Sequence, residues 1–468
     1  MRITRFILGA LTYALLFDTS PVAAQNHLWK ILKDDWSTSW DDAHKNCSDA
    51  SATKAWSDIE GCAVTIYGLK PPGPEIGSIA PGSSVGLGLG LKYTFMHPSS
   101  KAGHVGSESD LHFRGLYSFT NFYLMEGRYD FKMPALGQAD VTKSRRFEDQ
   151  ITLSVFVSRA NLAKQNFYGI GPNTTLAGLA LYRRLEDQVG ASADWPILSW
   201  FAAGGAVQLL LPTIKGGSGS SVPSVAQAYG NSGAPGVLTQ PSFMNYQVYL
   251  RVHTPAKASQ TWNSTEARVA YDRFSDLGTG TYSFNRLSES ASTSFDFRRD
   301  LAELKPPWWK NLLCEPIVGG QCSMGQLVLK ELLTSSYVGA NRQVPFYFQP
   351  TLGGTDINGV DTLRGLVDYR LRAPNRILLQ AEFYHNIQGP IGIYGFYDVG
   401  KVGLSARDLD LLHLRHDLGV GVYFKIQNQI VVRGYIGFGA GEGSHPNFKL
   451  PSLVNSSEAR IVAQKAHC

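Results

Sequence analysis

The sequence has little charge and, beyond its first residues, no long apolar run. Charged residues make up 17% of the 468 positions, whereas a soluble domain usually has about a quarter. The net charge is +5, but Lys and Arg are scattered instead of forming a basic stripe, which argues against a nucleic-acid partner. After residue 24 no segment supplies the roughly 20 consecutive apolar residues of a membrane-spanning helix. Any crossing of a membrane would therefore be made by strands.

Cysteine is also scarce, at five residues. Cys47 and Cys62 are close in sequence, as are Cys314 and Cys322, so two short-loop disulfides are the simple interpretation for an exported protein. Neither pair has CxxC spacing, and no histidine pair lies beside them at ligand spacing, so zinc is disfavoured. We therefore expect no metal site and no cofactor. Cys468 ends the chain as an odd cysteine.

The N-terminus has the features of a secretory signal peptide. Two arginines precede a mostly apolar run at 6–17, and small residues at 22–24 form a cleavage pattern. We expect residues 1–24 to be the signal; an ordinary buried helix is the alternative. Residues 25–80, with four tryptophans and a Pro/Gly run near the end, are predicted to form a short periplasmic segment and a linker.

What the sequence does contain is alternation with a period of two. From Val85 to Phe95 every odd position is apolar, and the even positions are glycine, lysine or threonine. Similar alternation returns at 151–158, 414–424 and 430–438. Each such strand has one apolar face and one small or polar face. A water-soluble sandwich would alternate in the same way, so the pattern alone leaves both folds open.

The context of these strands favours a membrane barrel over the sandwich. Strands of about ten residues, low charge, an export signal and aromatic residues near strand ends are typical of outer-membrane barrels. Closure is then required, because an open sheet edge would leave N–H and C=O groups without partners in hydrocarbon. We therefore predict an all-β, transmembrane antiparallel barrel of about 16 strands over residues 81–450 in bacterial outer-membrane lipid, with a tail at 451–468.

An even strand count places both ends of the barrel in the periplasm. The count uses 83–96 as the first strand and includes 344–352 as a strand. It places the loop 353–375 outside the cell, and the Gly/Ser/Pro-rich segment 215–239 becomes a long periplasmic turn. The same parity predicts three further extracellular loops, at 97–109, 134–148 and 299–322.

The loop 353–375 carries the most informative motif, Leu363-Arg364-Gly365-Leu366. Its glycines allow it to turn sharply and fold back into the lumen. There the Arg364 guanidinium would need a counter-charge, because an unpaired charge outside bulk water is costly. Alternation in 391–399 directs Asp398 inward, and Glu382 on the preceding strand faces inward as a second option. We expect Arg364 to pair with one of these carboxylates.

These residues resemble the signatures of the outer-membrane assembly-factor superfamily, the bacterial surface-antigen or BamA/TamA-like barrels. In that family a (V/L)-R-G-(F/Y) loop tip reaches into the barrel and contacts an F-x-D-x-G strand. Leu363-Arg364-Gly365 matches the first three tip positions, and Phe396, Asp398 and Gly400 match the strand. Further resemblance lies in four segments: 166–172, 344–347, 352–354 and 378–383.

The resemblance implies an outer-membrane barrel that assists the insertion or translocation of proteins, or of lipid, with outer-membrane clients or periplasmic accessory factors as partners. Two features depart from the family. Leu366 stands where the family usually has an aromatic residue. The 56 residues from Gln25 to Ala80 are too few for a POTRA module and show no βααββ pattern, so client capture through such a module is not expected.

Three other functions are weighed against assembly. An enzyme is not expected, because the GxSxG-like text at 216–220 lies in a low-complexity turn and not between a strand and a helix. A passive porin is the stronger competitor, and it would show an open lumen with a constriction of opposed charges. In a purely structural barrel, the pairing of Arg364 with Asp398 would only hold the loop in place.

Overall fold

The chain is described here by a computed structural model. It covers residues 41, 44–45, 47–48, 73–97, 107–134, 150–217, 221–254, 262–300, 315–317, 321–388, 390–426, 429–439 and 441–449. The predicted signal peptide at 1–24 and the predicted tail at 451–468 lie outside these residues, as does most of the segment 25–80. Among the described residues, no helix has the length and apolar character needed to cross a membrane.

The described part of residues 73–449 is almost entirely β. Sixteen strands form the wall, and they have these bounds: β1 Gly73–Ser78, β2 Val85–His97, β3 Ser107–Ser118, β4 Tyr123–Pro134, β5 Gln150–Phe167, β6 Ala180–Leu198, β7 Phe201–Gly216, β8 Phe243–Thr254, β9 Trp262–Asp276, β10 Phe284–Asp300, β12 Gln321–Val338, β15 Asn375–Gln388, β16 Ile391–Gly403, β17 Arg415–Ile426, β18 Gln429–Gly439 and β19 Ser444–Lys449. Smaller elements are β11 Glu315–Ile317, β13 Thr351–Leu352, β14 Leu371–Arg372 and the helix α1 Val225–Gly233.

The sixteen wall strands pair in chain order, each antiparallel to the next. The ladder runs from β1–β2 to β9–β10, continues through β10–β12 and β12–β15, and ends at β18–β19. β11 is a short addition beside β12, and β13 pairs only with β14. The result is a nearly closed antiparallel barrel, which confirms the predicted all-β fold and the count of 16 strands.

The two faces of the wall are arranged in the reverse of a soluble sheet. Side chains on the outer face are apolar and exposed, among them Leu89, Val155, Val248, Leu250, Leu418, Val420 and Val422. Side chains on the inner face are polar and buried, among them Asp110, Arg114, Gln247, Arg251, Glu382 and Asp398. A water-soluble sandwich would bury its apolar face instead. The alternation therefore belongs to a barrel with a polar interior.

Two of the predicted strand positions are wrong, and the errors cancel in the count. β1 lies at Gly73–Ser78, inside the predicted linker, where it pairs with the glycine-rich half of β2. The sequence did not indicate β1 because the strand is rich in glycine and proline and has Ile76 as its single large apolar residue. The segment 344–352 is no wall strand: Phe346–Phe348 forms a 3-10 turn, and only Thr351–Leu352 is extended.

These corrections also change the end of the barrel at which each connection between strands lies. Residues 339–374, which join β12 to β15, fold into the lumen and are called the inserted loop. The segment 217–242, which contains α1, leaves the wall at the same end as the inserted loop, not at the opposite end as predicted. The connections after β2, β4 and β10 leave at the other end, where β1 begins and β19 ends. Their parity was reversed because β1 was missed.

An aromatic core lies at the end of the barrel from which the inserted loop enters. Phe346 and Tyr347 are buried among Phe167, Tyr182 and residues of α1 and β8–β10. Three arginines donate hydrogen bonds to carbonyls of this turn: Arg372 to Phe346 at 2.7 Å, Arg184 to Tyr347 at 2.8 Å and Arg286 to Phe348 at 2.5 Å. The turn is thus fixed to the wall on several sides.

Candidate functional site

The inserted loop is a compact structure with its own hydrogen bonds. Gly353 and Gly354 adopt positive φ angles of 119° and 56°, a conformation that glycine adopts without steric cost. The Gly354 amide donates to the Leu363 carbonyl at 2.8 Å, and the Tyr369 amide donates to the Gly353 carbonyl at 3.1 Å. These bonds turn the chain back on itself. The tip between them is directed into the lumen and is almost completely buried.

Arg364 at this tip meets both of the predicted carboxylates. Its Nε and Nη2 donate to the two oxygens of Asp398 at 2.7 and 2.6 Å, and its Nη1 donates to Oε1 of Glu382 at 2.6 Å. Both acidic side chains are fully buried. The sequence offered Glu382 as an alternative to Asp398, whereas the structure uses both. A bidentate contact with one carboxylate plus a second acceptor fixes the guanidinium in orientation as well as position.

The walls around Arg364 complete its environment. The guanidinium carbon lies 3.8 Å from the centre of the Phe396 ring, a cation–π contact that is strengthened by the exclusion of water. The Gly365 amide donates to Oδ2 of Asp417 at 2.8 Å. A Cβ atom on Gly365 would lie 2.6 Å from the Cβ of Asp417, so glycine is required at this tip position. The third residue of the strand motif, Gly400, has no room for a Cβ beside the Ile377 carbonyl.

A cationic partner balances the second acid. Lys330 on β12 donates to Oε2 of Glu382 at 2.6 Å, and the Tyr384 hydroxyl donates to the same oxygen at 2.9 Å. Both oxygens of Glu382 are therefore occupied. Burial lowers the pKa of Arg364, but Glu382 and Asp398 outweigh it and hold that pKa well above its usual value. The guanidinium is charged at any physiological pH.

A second ionic cluster holds Asp361, three residues before Arg364 in the same loop. Asp361 pairs with Arg433 on β18 and accepts from Nζ of Lys449 on β19 at 2.7 Å. Lys449 also donates to the Gly359 carbonyl at 2.6 Å. Burial raises the pKa of Asp361, yet Arg433 and Lys449 more than offset it, so the pKa of this carboxyl lies below its usual range. The inserted loop is thereby tied to the last wall strand.

Leu366 packs in an apolar pocket of the lumen and not against the ionic network. Its neighbours in this cluster are Leu352, Leu363, Leu371, Ala373, Leu378 and Val402. A leucine fills this position without leaving the tip exposed, since Leu366 is 1% accessible. The departure from the family pattern therefore changes the packing of the tip but not the charge pairing of Arg364.

The segments that carried the sequence resemblance converge on the inserted loop. Arg372 contacts the Tyr182 hydroxyl at 3.0 Å, and its guanidinium lies near the rings of Phe167 and Phe346. Arg370 donates to Thr174 and pairs with Glu442 at 2.5 Å. Of these segments, 344–347 and 352–354 belong to the inserted loop itself, while Phe167 and Glu382 contact it from the wall.

Comparison with known proteins gives no match in sequence. No family model and no curated protein matches the chain. Among solved structures, the chain is similar to BamA from Haemophilus ducreyi lacking POTRA domains 1–3, with 10% identity over 84% of this chain and 77% of that chain and a TM-score of 0.46. It is also similar to CdiB from Acinetobacter baumannii, with 11% identity over 78% and 55% of the two chains and a TM-score of 0.42.

A third similar structure is Pseudomonas aeruginosa OprD, with 14% identity over 78% of this chain and 89% of that chain and a TM-score of 0.30. The strand register and the inverted faces of the wall establish the barrel fold.

The sequence interpretation missed five members of the ionic network: Asp417, Asp361, Arg433, Lys449 and Lys330. Asp417 carries the same signal that identified Asp398, a lone carboxylate on the inner face of an alternating strand. The other four have no distinguishing sequence pattern, so only their position in the folded chain identifies them. The network holds four acids and four bases once Arg364, Asp398 and Glu382 are counted with them.

The predicted disulfides are only partly within the described residues. Cys47 and Cys322 are each disulfide-bonded, while Cys62 and Cys314 lie outside the described part of the chain. In the described ranges no group of three or more His, Cys, Asp or Glu side chains is placed to hold a metal ion.

Proposed function

We propose that this protein is a bacterial outer-membrane barrel that assists the insertion or translocation of client proteins at that membrane. The exposed apolar outer face supports a lipid environment. In water, such a surface would cost about 25 cal/mol for each Å² of apolar area in contact with the solvent. The buried Arg364 network supports a filled lumen. Clients and periplasmic accessory factors are the partners that this role requires.

The seam between the first and last strands is the observation that carries this proposal. β1 and β19 have six residues each, whereas β6 has 19. Within the described residues, each is paired in register on one side only, β1 with β2 and β19 with β18. Unpaired strand edges are templates for β-augmentation. A client strand entering at this seam would form hydrogen bonds with the exposed backbone N–H and C=O groups, which lipid cannot do.

The inserted loop contacts both sides of the seam. Ile357 packs against the apolar cluster that contains Ile79 and Ala80, directly after β1. Lys449 of β19 binds Gly359 and Asp361 of the same loop. The loop therefore supports the edges of a seam that has little backbone pairing of its own, and its firm attachment to β15–β18 keeps the remaining wall intact while the seam opens.

Locking the seam tests the proposal. Cysteines at Ile76 and Phe448, both exposed on the outer face, are joined with a bifunctional maleimide in a Cys468→Ser background. The expected result is a fall in the cellular level of folded outer-membrane proteins. A matched control joins Leu87 to Tyr117, which are exposed partners already paired within the β2–β3 ladder. Unchanged client levels after complete locking of the seam would refute opening at this site.

A passive pore is the second candidate, and the lumen wall away from the inserted loop favours it. Ion pairs line this wall, with Arg114 to Glu126 at 2.6 Å and Arg251 to Asp194 at 2.9 Å. Single-channel recording of the reconstituted protein separates the two functions. The assembly proposal expects little steady conductance in the unmodified barrel and an increase in Arg364→Ala, because the loop is released. A large steady pore in the unmodified barrel would favour the porin.

A further inference from the structure

A polar notch interrupts the outer face of the barrel near the end from which the inserted loop enters. Arg273 on β9 lies in register with Asn285 on β10, and Asn285 lies in register with Tyr337 on β12. Arg342 follows in the turn after β12. All four line one cavity of about 380 Å³. Three neighbouring strands and a turn therefore present polar side chains to the same space.

The notch is arranged to receive an anion. Arg273 and Arg342 are both exposed, and neither forms an ion pair within the described chain. The single carboxylate in the cavity lining is Asp276, whose oxygens already accept the amides of Gly278 at 2.7 Å and Tyr282 at 3.1 Å. The cavity lining thus holds two guanidinium groups and one carboxylate, whose oxygens are occupied by amides of its own turn. Guanidinium groups bind phosphate oxygens through paired hydrogen bonds.

The surroundings of the notch indicate what carries the anion. Tyr271 lies one outward position below Arg273 on β9 and is exposed, as are Leu277 and Val338 at the rim. The cations therefore lie where the apolar outer face meets the polar connections. A free anion would gain nothing from this apolar surface, whereas a lipid would place its acyl chains along it and its headgroup at the arginines.

We propose that the notch of Arg273, Asn285, Tyr337 and Arg342 binds the phosphate group of a membrane lipid. This inference rests on the proposed placement of the barrel in a membrane. It adds a lipid site on the outer wall, on the ninth to eleventh of the sixteen wall strands and so on the side of the barrel away from the seam, and it involves no residue of the Arg364 network.

Binding is measured on the purified full chain in a neutral maltoside detergent by native mass spectrometry, with lipid A as the probe. We expect Arg273→Gln with Arg342→Gln to weaken binding at least tenfold and dephosphorylated lipid A to bind as weakly as that variant. The control variant Lys215→Gln with Arg407→Gln removes two exposed charges at the same end and should bind like the unmodified protein. Folding of each variant is checked on a denaturing gel, where the unheated sample should keep the mobility of the folded barrel.

Three results would overturn the proposal. Equal weakening in the control variant would show general charge attraction. Equal binding of dephosphorylated lipid A would show that phosphate is not recognised. Inorganic phosphate that binds as tightly as lipid A would show a site for the free anion. Because the assay involves neither seam opening nor clients, its failure leaves the seam proposal standing, and a locked seam without effect leaves the lipid site standing.

Discussion

Arg364 shows how much one residue contributes to this fold. It is 1% accessible, and a buried charge is tolerated only where its partners offset the loss of water. Asp398, Glu382 and the Phe396 ring do this together. Removal of the guanidinium would leave buried carboxylates facing one another, with Lys330 as the nearest remaining base on Glu382.

Arg364→Ala is therefore expected to destabilise the barrel by about 3–5 kcal/mol. Urea unfolding of the lipid-reconstituted protein measures this loss. Asp398→Asn in the same background should restore part of it, because one uncompensated charge is removed. As a control, Arg407→Ala changes an exposed end-loop residue and should stay within about 0.5 kcal/mol. A loss for Arg364→Ala no larger than that of the control would contradict the network.

On neighbouring strands, aromatic side chains pack over glycine residues of the adjacent strand. The Tyr394 ring on β16 covers Gly421 on β17, and a Cβ on Gly421 would lie 2.5 Å from a ring carbon. The Phe396 ring covers Gly419 in the same way, and the Tyr423 ring covers Gly392. Glycine at these three positions is thus explained by aromatic rings, and at Gly419 and Gly421 also by neighbouring carbonyl oxygens, that leave no room for a Cβ atom.

Gly421→Ala is expected to cost about 1–3 kcal/mol, because the added methyl group would overlap the Tyr394 ring and the Gly434 carbonyl oxygen. The same unfolding measurement applies. Gly395→Ala is the matched control on the adjacent strand, since the atom nearest to its added Cβ, the Gly419 carbonyl oxygen, is 3.9 Å away. Equal effects at the two positions would show that the ring packing is unimportant.

One exposed carboxylate on the outer face provides a test of lipid contact. Glu331 on β12 lies between Leu329 and Leu333 on the outward side of the strand. If lipid surrounds this face, Glu331→Leu should stabilise the barrel in bilayers by up to about 2 kcal/mol, since charge on the lipid face is destabilising. Arg407→Leu removes a charge outside the wall and should give no such gain. A loss of stability in Glu331→Leu would contradict contact with lipid.

For the whole molecule, the sequence predicted the barrel and the pairing of Arg364 because each follows from a local pattern, whereas the strand number was right because one missed strand and one false strand cancel. Alternation determines which face Asp398 occupies, and an isolated buried charge requires a partner. The prediction from alternation was wrong at two places. It missed β1, because glycine and proline interrupt the alternation there. It predicted a strand at Phe346–Phe348, where the aromatic residues form a turn. Lys449 and Asp361, 88 residues apart, meet only through the folded topology.

Oxygen accessibility of spin labels along β17 in reconstituted bilayers tests whether lipid lies outside the barrel and a polar network inside it. Labels are placed one at a time from Asp417 to Tyr423 in a Cys468→Ser background. Accessibility to oxygen should be high at Leu418, Val420 and Val422 and low at the positions between them. Uniform exposure to a water-soluble relaxation agent, without a period of two, would contradict it.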